Sequence, residues 1–149
     1  MVKIVEIQKQ NNLPKIKSLK TFKKCITKIQ NSDNAVEVFN TCFKPLNQHV
    51  ENVYMISLDN SNNIICLHHI AKLSQNYCCF PIREIVQNAL ICGAQKIIIA
   101  HNHPSNAHVS IDDIRATKKL ECTCKTVELE LLDSIVLKQN SESILNMGE

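Results

Sequence analysis

The stretch IIIAHNHPSNAHVSIDDI, residues 97–114, decides how the rest of the chain is read. Apolar residues run directly into histidines, a proline, a serine and two aspartates. KIIIA, residues 96–100, is a short continuous apolar run and reads as a strand buried on both faces. His101 and His103 follow it two apart, so in extended chain their imidazoles point to the same side. Pro104 fixes the backbone behind them and biases His103 toward an extended conformation. Ser110 is a good helix N-cap, and Asp113, three residues on, can reach back toward the helix start. Two histidines and a carboxylate on one turn are the protein ligands of an open zinc site, with a fourth position left for water. The same residues also fit a histidine-bearing loop followed by a plain helix cap, and spacing leaves both readings open.

Working outward, PIREIVQNALICGA has Pro81 near its start, apolar residues at 82, 85, 86, 89 and 90, and Gly93 just past its end, the punctuation of a helix. A polar break at SQN, residues 74–76, precedes it. VYMISLD and NIICLHHI are rich in β-branched and apolar residues and are separated by NSNN, a hairpin signal. SDNAVEVFNTCF reads as a helix opened by Ser32 or Asp33. SIDDIRATKKLECTC resumes helical spacing, and TVELELLDSIVL supplies a last strand or pair of strands. The fold class is therefore α/β or α+β, a mixed β-sheet flanked by helices. No internal repeat is present.

Composition bounds the rest. The chain has 149 residues, 44% of them apolar, with only two glycines and four prolines, which suits one compact domain rather than a disordered tract. Aromatics make up 4% and Trp is absent, so Ile, Leu, Val, Ala and Cys must build the core. The first twenty residues lack a signal-peptide apolar run, and no segment approaches the roughly 18 apolar residues of a membrane span. The expected location is cytoplasmic, with reduced thiols. No CxxC pair occurs among the eight cysteines, so they read as small buried hydrophobes, with a metal or redox role as the lesser alternative.

Charge is uneven. Residues 1–30 hold eight Lys against one acid, Glu6, whereas residues 31–149 hold nine basic and thirteen acidic residues. Leu19, Phe22, Ile26 and Ile29 recur at helical spacing, so residues 1–30 are expected to form a Lys-rich N-terminal helical segment with a solvated face. Contact with nucleic acid through that segment is the alternative.

Taken together, Glu51, HNHPS at 101–105 and Ser110-x-x-Asp113 resemble the JAMM (JAB/MPN) metallopeptidase signature, a distant Glu followed by HxHP and SxxD. The order of PIREIVQNAL, an apolar strand, HNHPS, SxxDI-x-x-T and LLDSIV is more closely similar to the RadC-like branch of that superfamily, from about residue 34 to 138. The resemblance implies a cytidine-deaminase-like, JAMM-type single domain over residues 31–149. It also implies that His101, His103 and Asp113 bind Zn2+, that Glu51 is the general base, and that Ser110 steadies the tetrahedral intermediate of amide hydrolysis. Glu51 is selected over Glu37 or Glu84 by the resemblance alone. The implied activity is hydrolysis of a peptide or isopeptide bond. The alternative is a DNA repair or recombination module, either non-catalytic and metal-bearing or a nuclease.

This sequence departs from the RadC-like pattern in several places. Asn106 stands where Gly is usual, and Asn tolerates positive φ better than most residues. The loop from Pro104 to Ser110 is one residue shorter, so the aim of Ser110 and Asp113 depends on where the helix starts. The usual LDH motif is Leu132-Asp133-Ser134, without its histidine. The helical DNA-binding-type module of longer RadC-like proteins has no counterpart but the Lys-rich segment, so DNA is a weaker expectation here. His108 reads as a solvent-facing loop residue, with a substitute ligand as the alternative. His68 and His69 should face opposite sides of their strand, and Arg83 and Glu84, matching the RadC-like RE pair, read as structural. No feature specifies an oligomeric state.

Overall fold

The computed structural model describes residues 1–73 and 80–145. The SQN break and the Cys78-Cys79 pair lie outside the described residues. Element order is β1 (Val2–Gln10), β2 (Leu13–Phe22), α1 (Ser32–Phe43), a 3-10 turn (Pro45–Asn47), β3 (Asn52–Leu58), β4 (Ile64–Lys72), α2 (Ile82–Ile91), β5 (Lys96–Asn102), α3 (Ile111–Thr126), β6 (Glu130–Leu137) and β7 (Glu142–Ser143). The strands form one mixed sheet ordered β2-β1-β4-β3-β5-β6-β7. β1 runs parallel to β4 and β5 parallel to β6, while the other neighbours are antiparallel. A parallel pair needs a crossover, and α3 supplies it between β5 and β6.

The expected α/β class holds, with strands where the apolar runs lie. Alternation along the two central strands divides the core. Tyr54, Ile56 and Leu58 of β3, with Ile98 and Ala100 of β5, pack with Ala35, Val38 and Phe39 of α1. Val53, Met55, Ile97 and Ile99 point the other way and pack with Ile85 and Ala89 of α2 and Leu120 and Cys124 of α3. Each fully buried Ile contributes roughly 1.5–3 kcal/mol, so the tract that reads KIIIA is a main anchor of both layers. Gly93 takes φ +72 just after α2, as its position past the helix end suggested. The cap of α1 is Asn31, one residue before the expected Ser32 or Asp33, with its side chain accepting the Asn34 N–H at 2.9 Å.

The Lys-rich N-terminal segment is not helical. It forms the β1–β2 hairpin, with Gln10 opposite Leu13 across an Asn11-Asn12 turn. Both asparagines have positive φ, 50° and 63°, as a two-residue type I′ hairpin turn requires. Helical spacing misleads because Leu19 is exposed on β2, whereas Ile29 is buried in extended chain beside Asn62, bonded N–H to carbonyl at 2.9 Å. Burial of Val2 and Val5 and pairing of Ile4 and Val5 with Leu67 and His68 hold the hairpin to the main sheet. β2 is then an edge strand, and its exposed Lys15, Lys17 and Lys20 oppose edge-to-edge association. Among the described residues, no helix is long and apolar enough to cross a membrane.

Candidate metal centre

β5 extends beyond its apolar run through Asn102, so the strand itself carries His101. Like Ile97 and Ile99, His101 faces the α2–α3 layer, where its ring meets the edge of Phe80 at 5.4 Å between centroids. His103 follows as the chain leaves the sheet, its N–H donating to Leu137 O at 3.0 Å. The two Nε2 atoms stand 3.1 Å apart. Asp113 completes a triangle: Oδ1 is 3.0 Å from His101 Nε2 and Oδ2 is 3.3 Å from His103 Nε2. A tetrahedral zinc with nitrogen and oxygen ligands about 2.0–2.2 Å away has ligand–ligand edges of about 3.3–3.6 Å, close to those observed.

The ring chemistry fits a cation as well. His103 Nδ1 lies 2.8 Å from Ala107 O, and a carbonyl only accepts, so Nδ1 carries the proton. In the neutral ring, Nε2 then presents its lone pair to the triangle, the arrangement that orients metal-binding histidines. His101 Nε2 faces the same point, so two nitrogens and a carboxylate converge where either a proton or a metal must sit. The hydrogen bond to Asp113 raises the pKa of His103 despite the opposing effect of burial. Burial alone would raise the Asp113 pKa, but hydrogen bonds from His101 and His103 hold it well below the carboxylate range. The carboxylate is therefore ionised, as a ligand must be.

Ser110 caps α3 as its spacing suggested. Its Oγ accepts the Asp113 N–H at 3.1 Å, and its own N–H donates to Asp113 Oδ2 at 2.8 Å, closing a capping box. The helix starts at the expected cap, and across the shortened loop Asp113 is aimed at both histidines. Accepting from Asp113 leaves the Ser110 hydroxyl hydrogen for donation elsewhere. Asn106 takes φ 59, so it occupies the left-handed position where glycine is usual. Its Oδ1 also accepts Gln139 N–H at 3.1 Å, tying the loop to the turn after β6.

Glu51 immediately precedes β3, and one carboxylate oxygen is 4.0 Å from His103 Nε2. It stands beside the ligand triangle, with its side chain 40% exposed. What holds it there is Asn102, the residue between the two histidines, which faces the opposite side of β5. Asn102 Oδ1 accepts the Asn52 N–H at 2.6 Å, and Nδ2 donates to Val50 O at 3.0 Å, on either side of Glu51. Strand alternation was the signal that Asn102 is buried away from the histidines. Asn102→Ala would leave the Asn52 N–H without this acceptor and is expected to lower stability by about 1–3 kcal/mol, measured by urea unfolding.

A second support was not legible in the sequence. Glu142 on β7 accepts the Val109 N–H at 2.9 Å and meets His108 Nδ1 at 2.7 Å and Lys138 Nζ at 3.2 Å. It thereby pins the loop from its far side. His108 is otherwise solvent-facing and stands outside the ligand triangle. The hydrogen bond from His108, then those from Val109 and Lys138, hold the Glu142 carboxyl down to about 2. A carboxylate with a depressed pKa contributes above its ordinary value of 4.5 and loses that contribution as pH falls toward 2. The Val109 amide proton should therefore keep its hydrogen-bonded chemical shift as pH falls past 4.5 and lose it only toward pH 2, and Glu142→Gln should weaken that response.

Other residues fall outside the triangle. His68 and His69 face opposite sides, as expected: His68 lies 2.7 Å from Ser57 Oγ, and His69 stacks on Tyr54. Arg83 and Glu84 are exposed at the start of α2. Ser134, at the position of the missing histidine, is buried and accepts from Thr117 Oγ1 of α3 at 2.9 Å. Asp133 is buried and accepts from Ser32 Oγ, Ser143 Oγ and the N–H groups of Ser134 and Leu145, linking α1 to the end of the sheet. The cysteines are not uniformly buried: Cys122 is exposed, and Cys25 and Cys92 are partly so.

A family model described as RadC-like JAB domain matches residues 29–148. A UPF0758 protein of Finegoldia magna is 33% identical over 121 residues, covering 80% of this chain and 53% of the relative. A UPF0758 protein of Actinobacillus pleuropneumoniae serotype 5b is 39% identical over 99 residues, covering 64% of this chain and 45% of the relative. Another from Haemophilus ducreyi is 37% identical over 91 residues, covering 60% and 41%. The chain thus spans about half the length of the curated relatives it matches. With the match running from the segment before α1 to beyond β7, this chain belongs to the RadC-like JAB domain family.

Proposed function

We propose that this domain is a zinc-dependent hydrolase of the JAMM type that cleaves a peptide or isopeptide bond. The observation that carries the reading is the convergence of His101 Nε2, His103 Nε2 and Asp113 within 3.0–3.3 Å, with the Glu51 carboxylate 4.0 Å from His103. His101, His103 and Asp113 would hold the ion, which would supply a Lewis acid and an acidified water. Glu51, partly exposed and not a member of the triangle, would accept a proton from the attacking water and return it to the leaving nitrogen. Ser110 would donate its hydroxyl hydrogen to the developing oxyanion.

A second reading is favoured by one observation, the exposed lysines of the β2 edge: the domain contacts nucleic acid, as a repair or recombination module or a nuclease. One panel separates these. Zinc-loaded protein is incubated in parallel with peptide conjugates, isopeptide conjugates and single- and double-stranded DNA. Amide cleavage with intact DNA supports the hydrolase. Cleavage of DNA alone would replace it with a nuclease. DNA binding that weakens steeply with salt, with no cleavage of any substrate, would favour the non-catalytic module.

A further inference from the structure

A second cluster of ligating side chains lies on the α2 side of the sheet, away from the site above. Cys66 and His68 are two apart on β4 and face the same way as Ser57 and Met55, their partners across β3. Cys92, the residue that ends α2, comes down over them. Cys66 Sγ is 3.3 Å from His68 Nε2, and Ser57 Oγ is 2.7 Å from the same nitrogen. One ligating atom from each of Cys66, His68 and Cys92 falls within 4.8 Å of the others. Cys66 pairs with Ser57 and His68 with Met55 on one side of β3, while His101 pairs with Val53 on the other, so the two clusters sit two to four residues, about 7–13 Å, apart along β3.

We propose that Cys66, His68 and Cys92 form a second metal site, thiolate-rich and specific for a thiophilic divalent cation of the zinc class, which fastens the end of α2 to β4.

Three features support this. The donor set is two sulfurs and an imidazole nitrogen, the soft set that zinc takes in structural sites, with ligand edges of about 3.3–3.8 Å. Two thiolates, a neutral imidazole and a divalent cation sum to zero charge, so the site suits a place where Cys66 and His68 are buried. The cluster is also already drawn together around shared protons: Cys66 Sγ lies 3.3 Å from His68 Nε2, and Cys92 brings its sulfur within 4.8 Å of both. A cation would replace the protons that hold the cluster together. His68 Nδ1 opposes this. It is buried without a hydrogen-bond partner among the described residues and must carry the ring proton when Nε2 binds, which subtracts from the affinity.

Cobalt(II) titration of reduced protein tests the proposal, because only a thiolate-bearing site gives the near-ultraviolet sulfur-to-cobalt charge-transfer band. Wild type should bind two equivalents and show the band. His101→Ala/His103→Ala should bind one equivalent, keep the band and melt at a higher temperature with the ion than without it. Cys92→Ser should bind one equivalent without the band, its retained equivalent showing that the chain is still folded. Cys25→Ser/Cys42→Ser, which removes a separate thiol pair 3.8 Å apart, should leave the band unchanged. Absence of the band in wild type, or its survival in Cys92→Ser, would overturn the proposal.

Discussion

Replacing His101 and His103 together by alanine is expected to remove the metal equivalent at the end of β5 while leaving the sheet intact. Both imidazoles present Nε2 to one point, and His108, the other histidine of the loop, is turned to Glu142 instead. Loss of an outer-shell partner alone weakens metal sites by about 10–100-fold, so removing two ligands should exceed that range. The fold should survive because the Ile97–Ala100 tract, rather than the histidines, fills both core layers. Elemental analysis after dialysis and a thermal melt check the two halves. A zinc affinity at this site equal to that of wild type would remove the metal reading of the HxHP segment.

Glu51→Gln should separate binding from chemistry. Glu51 lies beyond the 3.0–3.3 Å triangle, so metal content should be unchanged. The amide keeps the size of the carboxylate but cannot take a proton near neutral pH. Loss of a positioned general base typically costs about 10²–10⁴ in rate, and kcat should fall by that amount on whichever amide substrate the wild type cleaves. Asn102→Ala is a useful companion, because it disturbs the backbone on either side of Glu51 without touching a ligand. If Glu51→Gln lost metal and activity together, Glu51 would be a ligand rather than a proton carrier.

Much of this architecture is legible in the chain, because its strongest signals are local. KIIIA, the PIREIVQNAL helix and the NSNN hairpin each announce themselves by period and punctuation, and each is found in place. Ser110 and Asp113 read correctly as a helix start because the capping box is a three-residue device. The N-terminal hairpin is less legible, because apolar residues at helical spacing mask the Asn11-Asn12 turn and the pairing of β1 with β4 becomes visible only in three dimensions.

The parts of the site that escaped sequence reasoning are those set by distant contacts. Glu142 reaches Val109 across 33 residues, and no local pattern marks it. That contact, with Asn106 and Gln139, offers a physical reason why a loop one residue short still aims Asp113 at both histidines. The Cys66, His68 and Cys92 cluster escaped for the same reason: two members are neighbours on a strand, but the third arrives at the end of a helix.

The most direct test is anomalous diffraction at the zinc absorption edge from crystals grown with zinc. The account predicts a peak about 2.0–2.2 Å from His101 Nε2, His103 Nε2 and a carboxylate oxygen of Asp113, with Glu51 alongside and not coordinated. Zinc-loaded crystals with no peak among these three residues, or with Asp113 turned away from a metal held elsewhere, would contradict it.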